Sequence, residues 1–540
     1  MSGKSFVKGA VILSIAGIIS KMLGALYRIP FARIVGSEGV AIYNLGYPLY
    51  SLLLALSTAG IPLAVSKLIA ECEERQEHTT SKRILRLALA VLSMIGLCVG
   101  AALFVGADYV AEHFLHETRA AICLRAIAPA MMFTCLMAVF RGYFQGLQHM
   151  VPTAVSQVIE QFVRVGTIFV ALFALMPFGI ELVVGGASLG AATGGCAAFI
   201  FLLYTFFNYR KKHPQESGQP AAEVKSNRQI IQQVLFLAIP ISIGALVLPL
   251  MQSIDSLMVL PRLETAGFDH ETALRFYGYL SGYAGPIINL PFIITTALSA
   301  SLVPAIAEAI TAGRREDILV NYRSAMLLAV IIVLPATVGL MTLATPICEL
   351  LFAEAPAGLA LFWMAPTVLV VGLYQTSAGT LQGMGRVMVP MQALVIGAAI
   401  KIALTYVLTA IPAIGVRGAA IGTVIGFMVA ALYNICQVAK NIGWKWFDLS
   451  AHLLKPLISV AVMGLIVKAV YYGGVLLTHS NGLSTLAAIA IGGLSYFIVL
   501  LAIGGIRTED IRKMPKIGNR LANLVIKLKL ARDENDGKRV

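Results

Sequence analysis

The sequence predicts an all-α polytopic membrane protein with about 14 transmembrane helices, arranged as two parallel six-helix bundles and a C-terminal helix pair. Of its 540 residues, 58% are hydrophobic and only 13% are charged, whereas a soluble domain carries about 25% charged residues. The mean hydropathy of +0.83 agrees with burial in lipid. Two further observations specify the architecture: the placement of Lys and Arg, and short motifs that recur in register.

A helix needs about 20 apolar residues to cross the hydrocarbon core of a bilayer. Fourteen segments meet this requirement: 8–33, 41–67, 84–107, 120–143, 152–176, 183–207, 231–260, 277–304, 324–350, 358–382, 388–411, 416–437, 453–475 and 483–504. The first segment lacks a clean cleavage site, so we interpret it as a retained helix and not as a signal peptide. A polar linker at 208–230 and a basic tail at 505–540 lie outside the segments.

Lys and Arg lie mostly on one side of these segments. Six of the 41 lie in the interior of segments, and the inner loops, tails and inner segment ends hold all the others except five arginines at or beyond the outer ends, Arg33, Arg119, Arg262, Arg275 and Arg417. Because basic residues favour cytoplasmic loops, we predict that both termini are cytoplasmic. The net charge of +14 then indicates orientation and contact with anionic lipid, not nucleic-acid binding.

Three short motifs recur at an offset of six segments. The pairs are RGYFQGLQHMVP (141–152) with AGTLQGMGRVMVP (378–390), LSTAGIP (56–62) with LSASLVP (298–304), and GGASLGAATGG (185–195) with RGAAIGTVIGF (417–427). An even offset gives both copies the same direction, which is typical of parallel repeats in transporters. We therefore predict bundles at 1–207 and 231–438, followed by a helix pair within 439–504.

Glycines in these motifs have two predicted roles. In the first motif pair, we expect glycine to form the bend of a tight turn and proline to open the next helix. In the third pair, small residues recur every four positions, at Gly186, Gly190, Gly194 and at Gly418, Gly422, Gly426. This spacing predicts close packing between helices.

Charged side chains within the segments are the candidate site residues, because a charge in hydrocarbon is costly and tends to face a cavity or a partner. Lys21 and Arg28 are two helical turns apart, so they share a face of the first helix. Together with Lys401, a mid-helix cation of the second bundle, they predict an anion-binding cavity between the bundles. Snorkelling of these side chains to the headgroups is the alternative.

Acidic side chains within the segments are fewer. Glu160 and Arg164 are one turn apart and can form an ion pair, either structural or involved in ion coupling. Asp255 either binds a cation or accepts a hydrogen bond. No paired catalytic acids and no Cys/His cluster occur in the sequence, so we predict no enzymatic chemistry, metal or cofactor. The sequence also contains no P-loop, so we predict that transport is driven by an ion gradient, the membrane potential or the gradient of the substrate.

The stretch from FVKGAVILSIAGIISKMLGALYRIPFARIVG onward resembles the bacterial polysaccharide biosynthesis flippases, as do GYLSGYAGPIINLPFIITTALSASLVPAIAEA (278–309) and QGMGRVMVP. The stage V sporulation protein B type fits better than the lipid II flippases. Lys21 in SKMLG (20–24) stands where the lipid II flippases carry an arginine, and Arg28 lies one position beyond a second one. Gly285 and Pro286 replace an acidic–arginine pair of that branch.

The resemblance implies the multidrug/oligosaccharidyl-lipid/polysaccharide exporter fold in the bacterial cytoplasmic membrane. It also implies transfer of an undecaprenyl-pyrophosphate-linked saccharide, with lipid II favoured, from the inner to the outer leaflet. Lys21, Arg28 and Lys401 would hold the pyrophosphate in this interpretation. We expect a monomer whose partners are the lipid-linked substrate, membrane lipids and, as an open question, a coupling ion.

Alternative functions remain open at this point. Another lipid-linked polysaccharide unit could be the substrate of the same mechanism. A drug/cation antiporter would need acidic cavity residues, for which only Glu160 and Asp255 qualify. A membrane-embedded glycosyltransferase would need a larger outer loop with catalytic acids, and a scaffold for cell-wall assembly would leave the charges within the helices without a purpose.

Overall fold

A computed structural model describes residues 3–58, 60–212, 226–444, 446–448 and 450–505. Within these ranges the backbone forms nineteen α-helices, with short 3-10 and π-helical turns between some of them, and no strand. An α-helix satisfies its own backbone hydrogen bonds, as a lipid environment requires. The predicted linker lies largely outside the described residues, and the basic tail lies almost entirely outside them.

The chain divides into two compact units. The first comprises residues 1–282 and 409–415, and the second comprises residues 283–408 and 416–540. The first unit contains ten helices among its described residues: α1 (Gly3–Leu26), α2 (Arg28–Thr58), α3 (Ile61–Glu74), α4 (His78–Val105), α5 (Ala107–His113), α6 (Ala120–Gly146), α7 (Met150–Leu175), α8 (Ile180–Lys212), α9 (Asn227–Thr265) and α10 (His270–Gly278).

The second unit contains nine helices among its described residues. They are α11 (Gly285–Thr311), α12 (Arg315–Thr342), α13 (Ala344–Phe352), α14 (Gly358–Met364), α15 (Pro366–Gly383), α16 (Met388–Thr409), α17 (Val416–Ile442), α18 (Lys455–Thr478) and α19 (Asn481–Ala502). A π-helical turn at Tyr279–Ala284 connects α10 to α11, and the division between the units falls within it.

Twelve stretches of the described chain are long and apolar enough to cross a membrane, so the protein is a multi-pass membrane protein. One of them, Ile15–Glu74, has 60 residues and is long enough for more than one crossing. The 39-residue helix α9 is not among the twelve. The all-α membrane class is therefore confirmed, while a count of 14 crossings stays a prediction.

The first predicted segment is not one regular helix. Helix α1 ends at Leu26 and α2 begins at Arg28, because Pro30 has no N–H to donate to the Leu26 carbonyl. Gly36 interrupts α2 with a φ of 68° and a ψ of −177°, a conformation that only glycine adopts without strain. Lys21 and Arg28 therefore lie on either side of a helix break.

Helices α9 and α10 pack within the first unit, although the repeat pattern predicts that α9 begins the second bundle. The Gly60 N–H donates a hydrogen bond to Ser242 Oγ in α9 (3.0 Å). In α10, Tyr277 Oη donates to the Asn44 carbonyl of α2 (3.1 Å). The compact units thus divide the chain differently from the predicted bundles at 1–207 and 231–438. The bundles describe where the sequence repeats itself, and they stay a prediction.

Glycines of the first repeated motif pack α6 directly against α3. A Cβ atom on Gly142 would lie 2.7 Å from the Pro62 carbonyl oxygen, and one on Gly146 would lie 2.7 Å from the Ser66 carbonyl oxygen. Real Cβ atoms essentially never approach an oxygen this closely. The two glycines therefore permit the two helix backbones to touch.

The second copy of the motif is used in the same way. A Cβ atom on Gly379 of α15 would lie 2.7 Å from the Ser299 carbonyl oxygen of α11, and one on Gly383 would lie 2.8 Å from that of Val303. In the first copy the partner helix α3 begins at the end of the motif LSTAGIP, and in the second copy the partner helix α11 contains LSASLVP. Similar sequences thus form similar helix contacts in the two units.

The prediction that glycine forms the bend of the turn is wrong for Gly146 and Gly383, the glycines of the QG dipeptide that both motif copies share. Each is the last residue of its helix and packs against a neighbouring helix. Left-handed backbone occurs two residues later, at Gln148 (φ 55°) and at Gly385 (φ 75°). Proline does lie in the first turn of the following helix, at Pro152 and Pro390. Only the second copy places a glycine where the bend requires a positive φ.

Candidate functional site

Arg28 lies at the first turn of α2, where the helix break presents it beside three tyrosines. The guanidinium lies within electrostatic range of Tyr27, Tyr43 and Tyr47. Arg28 is half-buried, whereas Lys21 is exposed on α1. The two predicted cations therefore have different surroundings, and only Arg28 joins a polar cluster that the structure describes.

Tyrosines form one face of α2 in this region. Tyr43, Tyr47 and Tyr50 follow each other at helical spacing, with ring centroids 6.4 Å and 5.8 Å apart for the successive pairs. The hydroxyl groups of Tyr27 and Tyr43 are 3.3 Å apart and share a hydrogen bond. Tyr43, Tyr47 and Tyr50 thus form a row of aromatic rings with polar hydroxyl groups along an apolar helix, and we call this row the tyrosine wall.

Glu160 of α7 bridges two arginines. Its Oε2 atom accepts a hydrogen bond from Arg141 Nη2 of α6 (2.9 Å), and its Oε1 atom accepts one from Arg164 Nη2 one turn along α7 (2.9 Å). Arg141 also donates through Nε to Ser156 Oγ (3.0 Å). The exposed fractions of the three charged side chains are only 10–18%, so the bridge lies in a sheltered environment.

Arg164 connects this bridge to the tyrosine wall. Its Nη1 atom donates a hydrogen bond to Tyr47 Oη (3.2 Å), and Tyr47 also lies within electrostatic range of Arg28. We call Arg28, Arg141, Glu160 and Arg164, with Tyr27, Tyr43 and Tyr47, the Arg–Tyr cluster. Three guanidinium groups and one carboxylate leave an excess of two positive charges.

One donor of the cluster is not satisfied by protein. Arg164 Nε is buried and has no hydrogen-bond partner among the described residues. An unsatisfied buried donor costs about 1–3 kcal/mol, and more for a charged group. With its excess of positive charge, the cluster can attract an oxygen-rich anion.

Small residues of α8 pack against α7 beside the backbone of Glu160 and Arg164. A Cβ atom on Gly190 would lie 3.0 Å from the Arg164 carbonyl oxygen, and one on Gly194 would lie 2.4 Å from the Glu160 carbonyl oxygen. The close helix packing predicted from the glycine spacing is confirmed here. It fixes the backbone from which both charged side chains project.

Lys401 occupies the matching place in the second unit. A Cβ atom on Gly422 of α17 would lie 3.3 Å from the Lys401 carbonyl oxygen, and one on Gly426 would lie 2.7 Å from the Gly397 carbonyl oxygen. Lys401 is only 2% exposed. In this packing Lys401 corresponds to Arg164, and Gly397 corresponds to Glu160. The predicted anion-binding role of Lys401 stays a prediction.

Asp255 lies in α9, half-buried and within electrostatic range of Tyr277 in α10. Its role in coupling or structure also stays a prediction. No group of three or more His, Cys, Asp or Glu side chains that could hold a metal ion occurs in the part of the chain that the structure describes.

The candidate site residues predicted from the sequence do not include Arg141 or the tyrosines of the Arg–Tyr cluster. Arg141 lies in the repeated motif RGYFQG, which we interpreted as the start of a cytoplasmic turn, but α6 continues to Gly146. The tyrosines were visible as a Tyr43, Tyr47, Tyr50 pattern at helical spacing. A test for polar aromatic periodicity in apolar helices would have found them.

The family model described as "Polysaccharide biosynthesis protein" matches residues 6–310, which is more than half of the chain. The chain belongs to this polysaccharide biosynthesis protein family. A second model, described as "MatE", matches residues 281–407.

Two relatives cover nearly all of the chain. It is 30% identical to "Stage V sporulation protein B" of Bacillus subtilis (strain 168), over 96% of this chain and 99% of the relative. It is 28% identical to "Lipid II flippase MurJ" of the same strain, over 95% of this chain and 98% of the relative. The expected family is therefore confirmed.

The fold also matches a solved flippase. The structure described as "Lipid II flippase MurJ, inward closed conformation" has a TM-score of 0.67 and 18% identity, covering 91% of this chain and 98% of that one. The chain thus has the same fold as this solved structure.

Proposed function

We propose that the protein moves an undecaprenyl-pyrophosphate-linked saccharide from the inner to the outer leaflet, with lipid II as the favoured substrate. The observation that carries this proposal is the Arg–Tyr cluster. An excess of two positive charges suits a diphosphate, and guanidinium groups bind phosphate oxygens with defined geometry. Tyr47, the half-buried tyrosine of the cluster, offers an aromatic ring and a hydroxyl group to the attached sugar.

The cluster and the repeats suggest how transport would proceed. Arg28 would make the first contact with the diphosphate, because it is half-buried whereas Arg164 is buried. Alternating access of two repeated halves would then expose the bound headgroup to each side, while the prenyl chain stays in lipid. We place both termini in the cytoplasm, as the distribution of Lys and Arg predicts, and Lys21 near the entrance to the cluster.

Flipping in proteoliposomes tests this proposal. The probe is a fluorescent undecaprenyl-pyrophosphate-linked saccharide, and a membrane-impermeant quencher reports the leaflet in which it resides. Arg28→Gln removes one charged hydrogen-bond donor, worth about 1.5–3 kcal/mol, so we expect flipping to slow by about tenfold or more. Arg125→Gln is the matched control, because Arg125 is 43% exposed and pairs with Asp108 outside the cluster. Wild-type flipping by Arg28→Gln would refute the site.

The match of residues 281–407 to the MatE model favours a second candidate, a drug/cation antiporter. Such a transporter binds cations, so its site should carry negative charge. The Arg–Tyr cluster has the opposite sign, which supports the anionic substrate. Transport of a fluorescent cationic drug, with no flipping of any lipid-linked saccharide, would decide for the antiporter. Flipping of another lipid-linked unit in preference to lipid II would change only the glycan.

A further inference from the structure

A second charged cluster joins four segments of the first unit at the end that we predict to face outside. Glu38 belongs to α2, Glu117 and Arg119 precede α6, Glu264 lies in the last turn of α9, and His270 is the first residue of α10. We call these five residues the outer cluster. None of them belongs to the Arg–Tyr cluster.

Arg119 and Glu117 form the centre of the outer cluster. Arg119 donates through Nε to Glu117 Oε1 (3.0 Å) and through Nη2 to Glu117 Oε2 (2.8 Å), and it also pairs with Glu38. The Glu117 side chain is only 3% exposed. Burial alone would raise the pKa of Glu117, but the hydrogen bonds from Arg119 and His270 outweigh burial and hold its pKa below the ordinary value. Glu117 is therefore an anion at neutral pH.

His270 contacts two carboxylates, one through each ring nitrogen. Its Nε2 atom lies 3.2 Å from Glu117 Oε2, and its Nδ1 atom lies 2.7 Å from Glu264 Oε1. An ionised carboxylate only accepts hydrogen bonds, and a neutral imidazole has a single N–H group. Both contacts are therefore hydrogen bonds only when the ring carries two protons. A neutral ring would set a lone pair against one of the carboxylates.

The other charged groups around the ring do not replace these two carboxylates. Within α10, Glu271 and Arg275 pair with each other (3.0 Å). Asp269 accepts a hydrogen bond from the Thr272 backbone N–H (3.0 Å) and so caps the helix. The other titratable groups that the neighbouring elements carry toward this end are Arg33 and Glu38 of α2, His116 and Arg119 before α6, and Arg262 in the last turn of α9.

We propose that His270 is a proton-binding site, and that its imidazolium ties α9 and α10 to the segment before α6. By the repeat pattern, α9 and α10 belong to the second half of the chain and α6 belongs to the first. Binding of a proton would hold this end closed, and loss of the proton would free α10 from one carboxylate. The proton site does not depend on which substrate the protein carries, although its role in opening rests on the proposed function.

Hydrogen–deuterium exchange of the full-length protein in nanodiscs, without substrate, tests the proposal at pH 6 and pH 8.5. The readout is protection of peptides covering residues 114–120 and 264–278, after division by the intrinsic exchange rate at each pH. Burial alone would lower the pKa of His270, but the hydrogen bonds to Glu264 and Glu117 outweigh burial and raise it, so the ring is charged at pH 6 and loses its proton as the pH rises. The His270 side chain is 45% exposed, and ion pairs in contact with water are weak. We therefore expect exchange to be about two- to fivefold faster at pH 8.5.

Two neutral variants give opposite results if the proposal is correct. His270→Gln has one donor and one acceptor group that cannot change with pH, so its peptides should exchange quickly at both pH values. Glu264→Gln offers an amide N–H to the Nδ1 lone pair of a neutral ring, so its peptides should stay protected at both pH values. His113→Gln is the matched control, because His113 stacks on Tyr109 (4.4 Å) and lies outside the outer cluster. It should respond as wild type.

Three outcomes would overturn the proposal: equal protection at both pH values in the wild type, a wild-type response in His270→Gln, or a wild-type response in Glu264→Gln. These outcomes are independent of the flipping assay. A protein that flips no lipid-linked saccharide can still show the proton site, and a flippase can lack it.

Discussion

Removing the carboxylate that bridges Arg141 and Arg164 should destabilise the protein far more than removing a surface carboxylate. Glu160→Gln keeps the shape of the side chain but leaves two guanidinium groups, 18% and 10% exposed, without their counter-charge. Breaking a buried ion pair by removing one partner costs about 3–5 kcal/mol. Because the amide oxygen can still accept one hydrogen bond, we expect a loss of about 3 kcal/mol in the free energy of unfolding.

The chain offers a matched control for this variant. Glu271 and Arg275 form the same i, i+4 pair at 3.0 Å, but their side chains are 62% and 53% exposed. Exposed pairs contribute about 0–1 kcal/mol, so Glu271→Gln should lower the unfolding free energy by less than about 1 kcal/mol. Equilibrium unfolding in mixed micelles of a mild detergent and dodecyl sulfate measures both variants against the wild type.

A double-mutant cycle isolates the bridge itself. Glu160→Gln and Arg141→Gln should be non-additive, with a coupling energy of about 0.5–3 kcal/mol, because each variant removes the same contact. The reasoning fails if Glu160→Gln costs no more than Glu271→Gln, or if the two bridge variants are additive.

Further predictions concern the repeated motifs. Gly142→Ala should lower the unfolding free energy by about 1–3 kcal/mol, because its Cβ would lie 2.7 Å from a backbone oxygen of α3. Gly339→Ala, with nothing within 4 Å, should instead be neutral or stabilising, and equal effects in the two variants would contradict the packing argument. Gln148→Gly should stabilise by about 1 kcal/mol, because residue 148 has a φ of 55°. Gly385→Ala, at a φ of 75°, should lower the unfolding free energy by about 1–2 kcal/mol. If Gln148→Gly destabilises the protein or Gly385→Ala stabilises it, the inference that both motif copies bend at this position is wrong.

Much of the fold was predictable because lipid imposes simple rules on a chain. Long apolar runs must form helices, and the all-α class followed from composition alone. Glycine spacing at Gly190 and Gly194 predicted a close helix contact, since close backbone approach needs small residues at every fourth position. The pairing of Glu160 with Arg164 followed from their separation of one helical turn.

The rest depends on contacts between residues far apart in the sequence, which no local pattern records. Glu117 meets His270 across more than 150 positions, and Arg141 reaches Glu160 from a different helix. The packing of α9 within the first unit also depends on tertiary contacts, such as the hydrogen bond from Gly60 to Ser242. Local reasoning found Arg28 by its charge but could not place the tyrosines around it.

Native mass spectrometry of the purified protein tests the central claim that the Arg–Tyr cluster binds the diphosphate of a lipid-linked saccharide. The account predicts that wild type and Arg125→Gln retain a co-purified lipid with the mass of an undecaprenyl-pyrophosphate-linked saccharide, and that Arg28→Gln loses most of it. Retention of the same lipid by Arg28→Gln at the wild-type level would contradict the account.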